Sequence, residues 1–197
     1  MSKFADIYGH EQIKEHLQNA IRLNKVSHAY IFNGPMGSGK KMTAGIFAET
    51  LQCERHGQEP CGTCHSCIQS ESGNQPDIIW VHHEKPGSIG VDDVREQVIG
   101  DMQIKPYSSR YKIYIIDEAE KLTQQAQNAL LKTIEEPPAY GIIILLTTNA
   151  DTFLQTILSR CVRLDFRPLR DTLVTQYLQE KYDLTDYECR FATAFAQ

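Results

Sequence analysis

The segment Gly34–Lys41, Gly-Pro-Met-Gly-Ser-Gly-Lys-Lys, has the residue types and spacing of a phosphate-binding loop. It fits the pattern G-x-x-x-x-G-K followed by Ser or Thr, except that Lys41 stands at the last position. An apolar run precedes the segment and a helix-compatible run follows it, so backbone N–H groups and a helix N-terminus could surround a phosphate. The positions expected to contact a nucleotide are Gly34, Pro35, Gly37, Ser38, Gly39, Lys40 and Lys41.

The two lysines that end this loop carry different expectations. Lys40 is placed to reach the outer phosphates as a point charge. Lys41 stands where a hydroxyl normally holds magnesium, and Thr43 lies about 200° further around a helix, too far to replace that hydroxyl. The sequence therefore predicts a site built for ATP or ADP but poorly equipped to hold magnesium or to hydrolyse the nucleotide. A plain glycine turn between a strand and a helix is the alternative.

Two acidic residues, Asp117 and Glu118, follow an apolar run at residues 111–116. A carboxylate at the carboxyl end of a parallel strand lies beside a phosphate loop, where Asp117 could hold magnesium directly or through water. Glu118 could polarise the attacking water as a general base, a role that is vestigial if the magnesium hydroxyl is missing. A pair of solvent-facing acids at a strand end is the alternative.

Four cysteines lie within fifteen residues among turn-forming residues, at Cys53, Cys61, Cys64 and Cys67. Four thiolates suit tetrahedral zinc, and a closed four-ligand site leaves no position for a substrate, so we predict a structural zinc module at about residues 53–67. A redox C-x-x-C pair is one alternative, although such a pair normally lies at a helix start and not inside a loop. An iron–sulfur site and plain free thiols are two others.

Two further positions have weaker signals. Thr148 belongs to a polar triplet after the apolar run 142–146, where it could sense a γ-phosphate. Arg160 lies between a predicted helix and a predicted strand, and its charge complements a helix C-terminus. From the residues alone, that structural role is the favoured interpretation of Arg160.

The alternation of apolar runs and helical patterns predicts an α/β fold with a parallel sheet covered by helices on both faces. Strands are predicted at residues 29–32, 77–83, 111–116, 142–146 and 162–166, and helices at 9–23, 42–51, 91–98, 119–135 and 152–158. Residues 1–169 are expected to form one nucleotide-binding domain with the zinc module inserted. Residues 170–197 are expected to begin a helical domain that is cut short.

Composition sets limits on the function. The 197 residues carry a net charge of −5, which argues against a wholly basic nucleic-acid binder without excluding a local basic strip. No apolar run approaches the roughly 18 residues that span a bilayer, and the N-terminus lacks the apolar core of a signal peptide. A cytoplasmic protein is therefore expected.

Together these motifs resemble the bacterial DNA polymerase III clamp-loader subunits of the AAA+ class. The resemblance covers about residues 3–169 and rests on five motifs in order: the glycine loop, the four cysteines, the acidic segment 117–120, the segment 128–138 and Ser159-Arg160-Cys161. Within this class the chain is most similar to the delta-prime subunit, because Lys41 replaces the Thr that the gamma/tau motor subunit keeps.

The resemblance implies an AAA+ P-loop NTPase-type sheet followed by a helical lid domain, and it implies a role for each motif. The four cysteines match structural zinc ligands, and segments 34–41 and 117–118 match the two phosphate-site motifs. Thr148 falls at or near the first sensor position. Arg160 matches an arginine finger that acts in trans on ATP held by a neighbouring subunit, which reverses the structural interpretation.

The function that the resemblance implies is assistance in loading the sliding clamp on primed DNA, within the DNA polymerase III holoenzyme. The implied partners are the gamma/tau and delta subunits and, through the assembled complex, the sliding clamp and primer–template DNA. No membrane partner is implied, and this chain alone is expected to be a monomer with weak or absent ATPase activity. An active gamma/tau-like motor subunit is the alternative, and a redox sensor based on the cysteines is a third hypothesis.

Overall fold

The computed structural model describes residues 3–83, 85–182, 185, 187–189 and 191. Five parallel strands form one sheet in the order β2-β3-β4-β1-β5, which confirms the predicted α/β class. The strands are β1 Ala29–Asn33, β2 Ile78–Trp80, β3 Lys112–Ile116, β4 Gly141–Thr147 and β5 Val162–Asp165.

Seven α-helices lie in the described part of the chain, at α1 Glu11–Arg22, α2 Lys40–Gln52, α3 His65–Glu71, α4 Val91–Val94, α5 Gln124–Glu135, α6 Gln155–Leu158 and α7 Asp171–Tyr182. A π-helical turn, Arg95–Gly100, continues α4. Short 3-10 turns occur at Phe4–Asp6, Asp101–Gln103, Ala119–Lys121 and Ala150–Thr152. None of the helices in the described residues is long and apolar enough to cross a membrane.

Helices cover both faces of the sheet because successive strand residues point in opposite directions. On one face, Leu17 of α1 and Phe47 of α2 belong to the same buried cluster as Tyr30 of β1. On the other face, Leu130 of α5 belongs to a cluster with Ile31, the next residue of β1. Each such buried side chain contributes about 1.5–3 kcal/mol of transfer free energy, so both layers hold the sheet in place.

The predicted helix at residues 119–135 is wrong in its first part. Ala119–Lys121 is a 3-10 turn, and Leu122 forms an isolated parallel bridge with Ile89. The α-helix begins after Thr123, whose hydroxyl accepts a hydrogen bond from the N–H of Ala126. A bridge to a distant residue therefore interrupts the helical pattern, and the threonine cap restarts it.

The predicted strand at residues 77–83 is also longer than the observed β2. Beyond Trp80, the N–H of Val81 still donates to Ile115 of β3. The N–H and the carbonyl oxygen of His82 instead bond to the Gln97 side chain, at 2.9 and 2.6 Å. A side chain thus satisfies the backbone groups that a longer strand would have paired.

The C-terminal region is described only in part. α7 packs on the N-terminal segment, where the rings of Tyr8 and Tyr177 lie 5.0 Å apart, and Tyr8 also donates a hydrogen bond to Glu180. Most of the helical region that the sequence predicts after α7, to residue 197, lies outside the described residues. The division at residue 169 stays a prediction.

Candidate nucleotide site and metal centre

The carboxyl ends of the central strands bring the phosphate-site motifs to one edge of the sheet. Asn33 of β1 is in register with Thr147 of β4, and Ile116 of β3 is in register with Leu145 of β4. Three motif segments therefore emerge at the carboxyl ends of neighbouring strands: the loop after β1, Asp117 after β3 and Thr148 after β4. This is the position at which open parallel sheets bind ligands.

The loop between β1 and α2 has backbone conformations that suit glycine. Gly37 and Gly39 have φ angles of 76° and 87°, a region that other residues rarely adopt. A Cβ at Gly34 would collide with the carbonyl oxygen of Phe166. Because α2 begins at Lys40, the N–H groups of its first turn have no carbonyl of an earlier turn to bond. The loop therefore fits an anion such as a nucleotide phosphate.

Lys40 folds back over this loop. Its Nζ donates hydrogen bonds to the carbonyl oxygens of Gly34 at 2.6 Å and Pro35 at 2.7 Å. Burial lowers the pKa of Lys40, and the carboxylates of Glu120 and Asp117 partly offset this effect. The ammonium is thus held at the loop, and it would have to leave these carbonyls to contact a phosphate.

Ser38 ties the loop to the N-terminal segment. His10 Nε2 lies 3.0 Å from the Ser38 carbonyl oxygen, and the His10 ring packs 4.8 Å from the ring of Phe166. The Ser38 hydroxyl is buried and has no hydrogen-bond partner among the residues that the structure describes. An orphaned hydroxyl in a glycine loop is a further feature that fits a polar ligand. No motif in the sequence points to His10.

Lys41 pairs with the carboxylate that was predicted to hold magnesium. Its Nζ lies 3.0 Å from Asp117 Oδ2 and 5.2 Å from the centroid of the Trp80 ring. The Thr43 hydroxyl is buried and donates to the Gly39 carbonyl oxygen at 2.9 Å. The magnesium ion that accompanies nucleotide in a complete site does not fit these residues, because an ammonium group occupies the Asp117 carboxylate and the Thr43 hydroxyl is bonded to its own helix.

Glu118 is also paired. The residue has a φ of 50°, and its Oε2 accepts a hydrogen bond from Lys121 Nζ at 2.7 Å. His83 Nε2 lies 3.7 Å from the same oxygen. In this conformation Oε2 of the carboxylate is engaged with a cation.

Thr148 contacts a residue that the motifs did not single out for chemistry. Its hydroxyl donates to Glu120 Oε1 at 2.7 Å, and its N–H donates to Oε2 at 3.3 Å. Burial opposes the charge on Glu120, but hydrogen bonds from Thr148 and Thr147 outweigh it, so the pKa of Glu120 lies below its ordinary value. In the sequence, Glu120 cannot be told from an exposed helical residue.

Arg160 lies at the amino ends of the strands, on the side of the sheet opposite the phosphate loop. It precedes the first residue of β5, whereas the phosphate loop follows the last residue of β1, and the two strands are parallel. Its Nη2 is 3.1 Å from Glu135 Oε1, and its Nη1 donates to the Thr156 carbonyl oxygen at 3.0 Å. The side chain is 40% exposed. The structure therefore does not bring Arg160 to this chain's own phosphate loop.

The four predicted zinc ligands converge. Their Sγ atoms all lie within 4.8 Å of one another, with Cys53 and Cys67 buried and Cys61 and Cys64 half-buried. Each of three sulfurs accepts a backbone N–H: Cys53 from Cys61, Cys61 from Cys64, and Cys64 from Cys67, at 3.3–3.4 Å. Four soft donors at this separation could hold one tetrahedral zinc ion. His65, next to Cys64, is exposed.

The thiols of this cluster differ in their acidity. Backbone hydrogen bonds, led by that from Thr63, lower the pKa of Cys61 to about 5, although burial acts in the opposite direction. Burial raises the pKa of Cys53 and of Cys67. A metal ion would hold all four as thiolates, since coordination deprotonates a thiol outright.

The expectation that the C-x-x-C pairs lie inside a loop is wrong for one pair. Cys64 is the N-cap of α3, and Cys67 lies in its first turn. A redox pair is found at such a helix start, so this objection to redox chemistry does not hold. The convergence of all four sulfurs still favours a metal site, because a redox pair needs only two.

Comparisons with known proteins agree with these motifs. A family model described as DNA polymerase III, delta subunit, matches residues 9–170. The tau subunit of DNA polymerase III from Bacillus subtilis is 40% identical over 182 residues, which are 92% of this chain and 32% of that protein. The tau/gamma subunit from Haemophilus influenzae is 41% identical over 177 residues, 89% of this chain and 25% of that protein. The chain thus spans about a third of these relatives or less.

Solved structures support the same fold. A DNA polymerase III gamma subunit-related protein from Thermotoga maritima is 25% identical with a TM-score of 0.63, covering 91% of this chain and 56% of that one. The RuvB Holliday junction branch migration motor of Thermotoga maritima is 17% identical with a TM-score of 0.58, covering 94% and 56%, and shows the fold alone. The fold is of the AAA+ type, and the chain belongs to the family described as DNA polymerase III, delta subunit.

Proposed function

We propose that this chain is a delta-prime-like clamp-loader subunit that completes the ATP site of a neighbouring subunit and hydrolyses ATP poorly or not at all. The observation that carries the proposal is the 3.0 Å ion pair between Lys41 and Asp117. In a hydrolysing P-loop site, a Ser or Thr hydroxyl and an Asp carboxylate hold magnesium together. Here an ammonium takes the place of the hydroxyl and occupies the carboxylate.

The position of Arg160 supports a role in trans. An arginine finger stabilises the charge on the transferring phosphoryl group and is supplied either within a chain or by a neighbour. Arg160 lies at the sheet edge opposite its own phosphate loop and is 40% exposed. The Arg160 guanidinium would leave Glu135 and contact a nucleotide that an adjacent subunit holds.

The remaining parts of the proposal follow from family membership and from the cysteine cluster. We assign the four cysteines to structural zinc, the loop at residues 34–41 to ATP or ADP, and Thr148 to a sensor role. The proposed partners are the gamma/tau and delta subunits, with the sliding clamp and primer–template DNA reached through the assembled complex. Residues 1–169 are the proposed AAA+ domain, followed by the start of a helical lid.

A gamma/tau-like motor subunit is the second candidate. It is favoured by the relatives from Bacillus subtilis and Haemophilus influenzae, which carry the names tau and tau/gamma. Lys40, Asp117 and Glu118 are also present, so only the hydroxyl at position 41 is missing from the phosphate-site motifs. The two candidates differ in which chain binds and hydrolyses the ATP.

The test of the proposal is Arg160→Ala in this protein, assembled with its clamp-loader partners. With clamp and primed DNA present, we expect clamp loading and ATP turnover to fall by about tenfold or more. Loss of an arginine finger slows hydrolysis at the neighbouring ATP site that it serves by roughly 10³–10⁵. The matched control is Arg22→Ala, at the exposed end of α1. Unchanged turnover and loading in an intact Arg160→Ala assembly would contradict the proposal.

A further inference from the structure

We propose that Lys41 is a built-in replacement for the divalent cation, so that the loop at residues 34–41 binds a nucleoside diphosphate without magnesium. The inference deepens the proposed function and rests on it only in taking this loop as a nucleotide site. It is carried by the geometry around Lys41 and by the charge balance of the site.

The geometry places the Lys41 ammonium where a metal would meet the protein. Lys41 is in the first turn of α2, directly after Lys40, at the position of the usual metal-binding hydroxyl. Its Nζ reaches 3.0 Å from Asp117, the carboxylate at the end of β3. Trp80, at the end of β2, lies beside the same ammonium, at 5.2 Å from Nζ to the ring centroid. Lys41 therefore links α2 to the end of β3, the two elements that a magnesium ion would link in a complete site.

The charges of the site explain why the Lys41 ammonium can replace a metal ion in phosphate binding. Without a counter-charge, the Asp117 carboxylate would repel the phosphates of a nucleotide in the adjacent loop. Lys41 neutralises it, Lys121 neutralises Glu118, and the Glu120 carboxylate stays charged while it accepts hydrogen bonds from Thr148. Lys40 balances the charge of Glu120, and the N-terminus of α2 adds a partial positive charge at the loop. A diphosphate needs no metal to be attracted to such a loop.

The release of Lys40 completes the binding mode. In the structure its Nζ is bound to the carbonyl oxygens of Gly34 and Pro35. These are neutral acceptors, whereas a phosphate oxygen is charged and forms a stronger bond with an ammonium. Nucleotide binding is then an exchange of partners by Lys40, while Lys41 stays on Asp117.

The experiment is an ADP titration of the protein with zinc bound, in buffer depleted of magnesium on a chelating resin and again with millimolar magnesium. EDTA is avoided because it would also remove zinc. Trp80 is the only tryptophan of the sequence, so its fluorescence reports on the surroundings of Lys41. Calorimetry measures the dissociation constant of ADP independently of the fluorescence.

The native chain is expected to bind ADP with dissociation constants that agree within about twofold with and without magnesium. Lys41→Thr should bind at least tenfold more weakly without magnesium, a change of about 1.4 kcal/mol, and should regain that factor when magnesium is added. Lys25→Thr removes the same charge before β1, at the far edge of the sheet, and is expected to behave as the native chain.

Two results on the native chain would overturn the inference. One is tenfold tighter ADP binding by the native chain when magnesium is added, and the other is no ADP binding in either condition. If Lys41→Thr does not fold, Lys41→Met removes the charge and keeps the volume, and native-like affinity of this variant without magnesium would also overturn it. None of these titrations involves Arg160 or a partner subunit, so their outcome leaves the proposed role of Arg160 in trans untouched, whereas the absence of any ADP binding would also overturn the assignment of the loop to a nucleotide.

Discussion

Single residues decide what the proposed nucleotide site can do. The pattern of residues 34–41 predicts a phosphate loop that lacks its metal-binding hydroxyl, and this much follows from the sequence because the motif is local. The partner of Lys41 could not be predicted, since Asp117 is 76 residues away and meets it only through the order of strands in the sheet. The same holds for Glu120 and Thr148, which are joined across the ends of β3 and β4.

Glu120 gives a prediction about pH at this scale. Its pKa lies below the ordinary value of 4.5, so its charge stabilises the folded chain above pH 4.5, and this contribution is lost as the pH falls through the lowered pKa. We expect the free energy of unfolding in urea to fall less steeply below pH 4.5 in Glu120→Gln than in the native chain. Glu15→Gln, on the exposed side of α1, is the control. Equal pH slopes for native and Glu120→Gln would contradict the assignment.

At the scale of elements, the patterns predict which strands and helices exist better than where they end. Apolar runs in the sequence locate all five strands, because the sheet lies between two helical layers and buries residues on both faces. The ends depend on contacts that are distant in sequence, such as the Leu122–Ile89 bridge that delays α5 and the Gln97 side chain that closes β2. These contacts leave no signal in the local sequence.

The loop before β3 provides a prediction about stability. The buried carboxylate of Asp77 accepts hydrogen bonds from the N–H groups of Tyr107, Ser108 and Ser109, at 2.6, 2.9 and 2.9 Å. Asp77→Ala leaves these donors without their acceptor, so we expect the free energy of unfolding to fall by about 2–4 kcal/mol. Chemical denaturation measures this loss. Asp151→Ala, at an exposed position, is the control. Equal stability of the two variants would contradict the stabilising role of Asp77 in this loop.

The cysteine cluster provides a second prediction at this scale. We expect about one zinc ion per chain, and we expect Cys67→Ser to lose it, because a structural site needs all four ligands. Metal analysis of the purified proteins measures the content, and limited proteolysis should show faster cleavage between Cys53 and Cys67 after zinc is lost. Cys161→Ser, outside the cluster, should keep its zinc. Iron in place of zinc, or full zinc content in Cys67→Ser, would contradict the structural site.

For the whole molecule, the fold places two kinds of chemistry at opposite edges of one sheet. The phosphate loop follows the carboxyl end of β1, and Arg160 precedes the amino end of β5. A chain with this arrangement can hold a nucleotide on one side and offer an arginine to a neighbour on the other. The residues alone predict the phosphate loop, whereas the role of Arg160 in trans comes from the family resemblance, and a single chain holds no information about which subunit lies on either side.

The central claim is that this subunit assists hydrolysis elsewhere and is not itself a motor. The most direct test is phosphate release from ATP with magnesium by the purified chain without partners. We predict no turnover above that of Lys40→Ala, because the Lys41–Asp117 pair occupies the position where magnesium would be held. Steady turnover by the native chain that both Lys40→Ala and Glu118→Gln abolish would contradict the account and identify a gamma/tau-like motor.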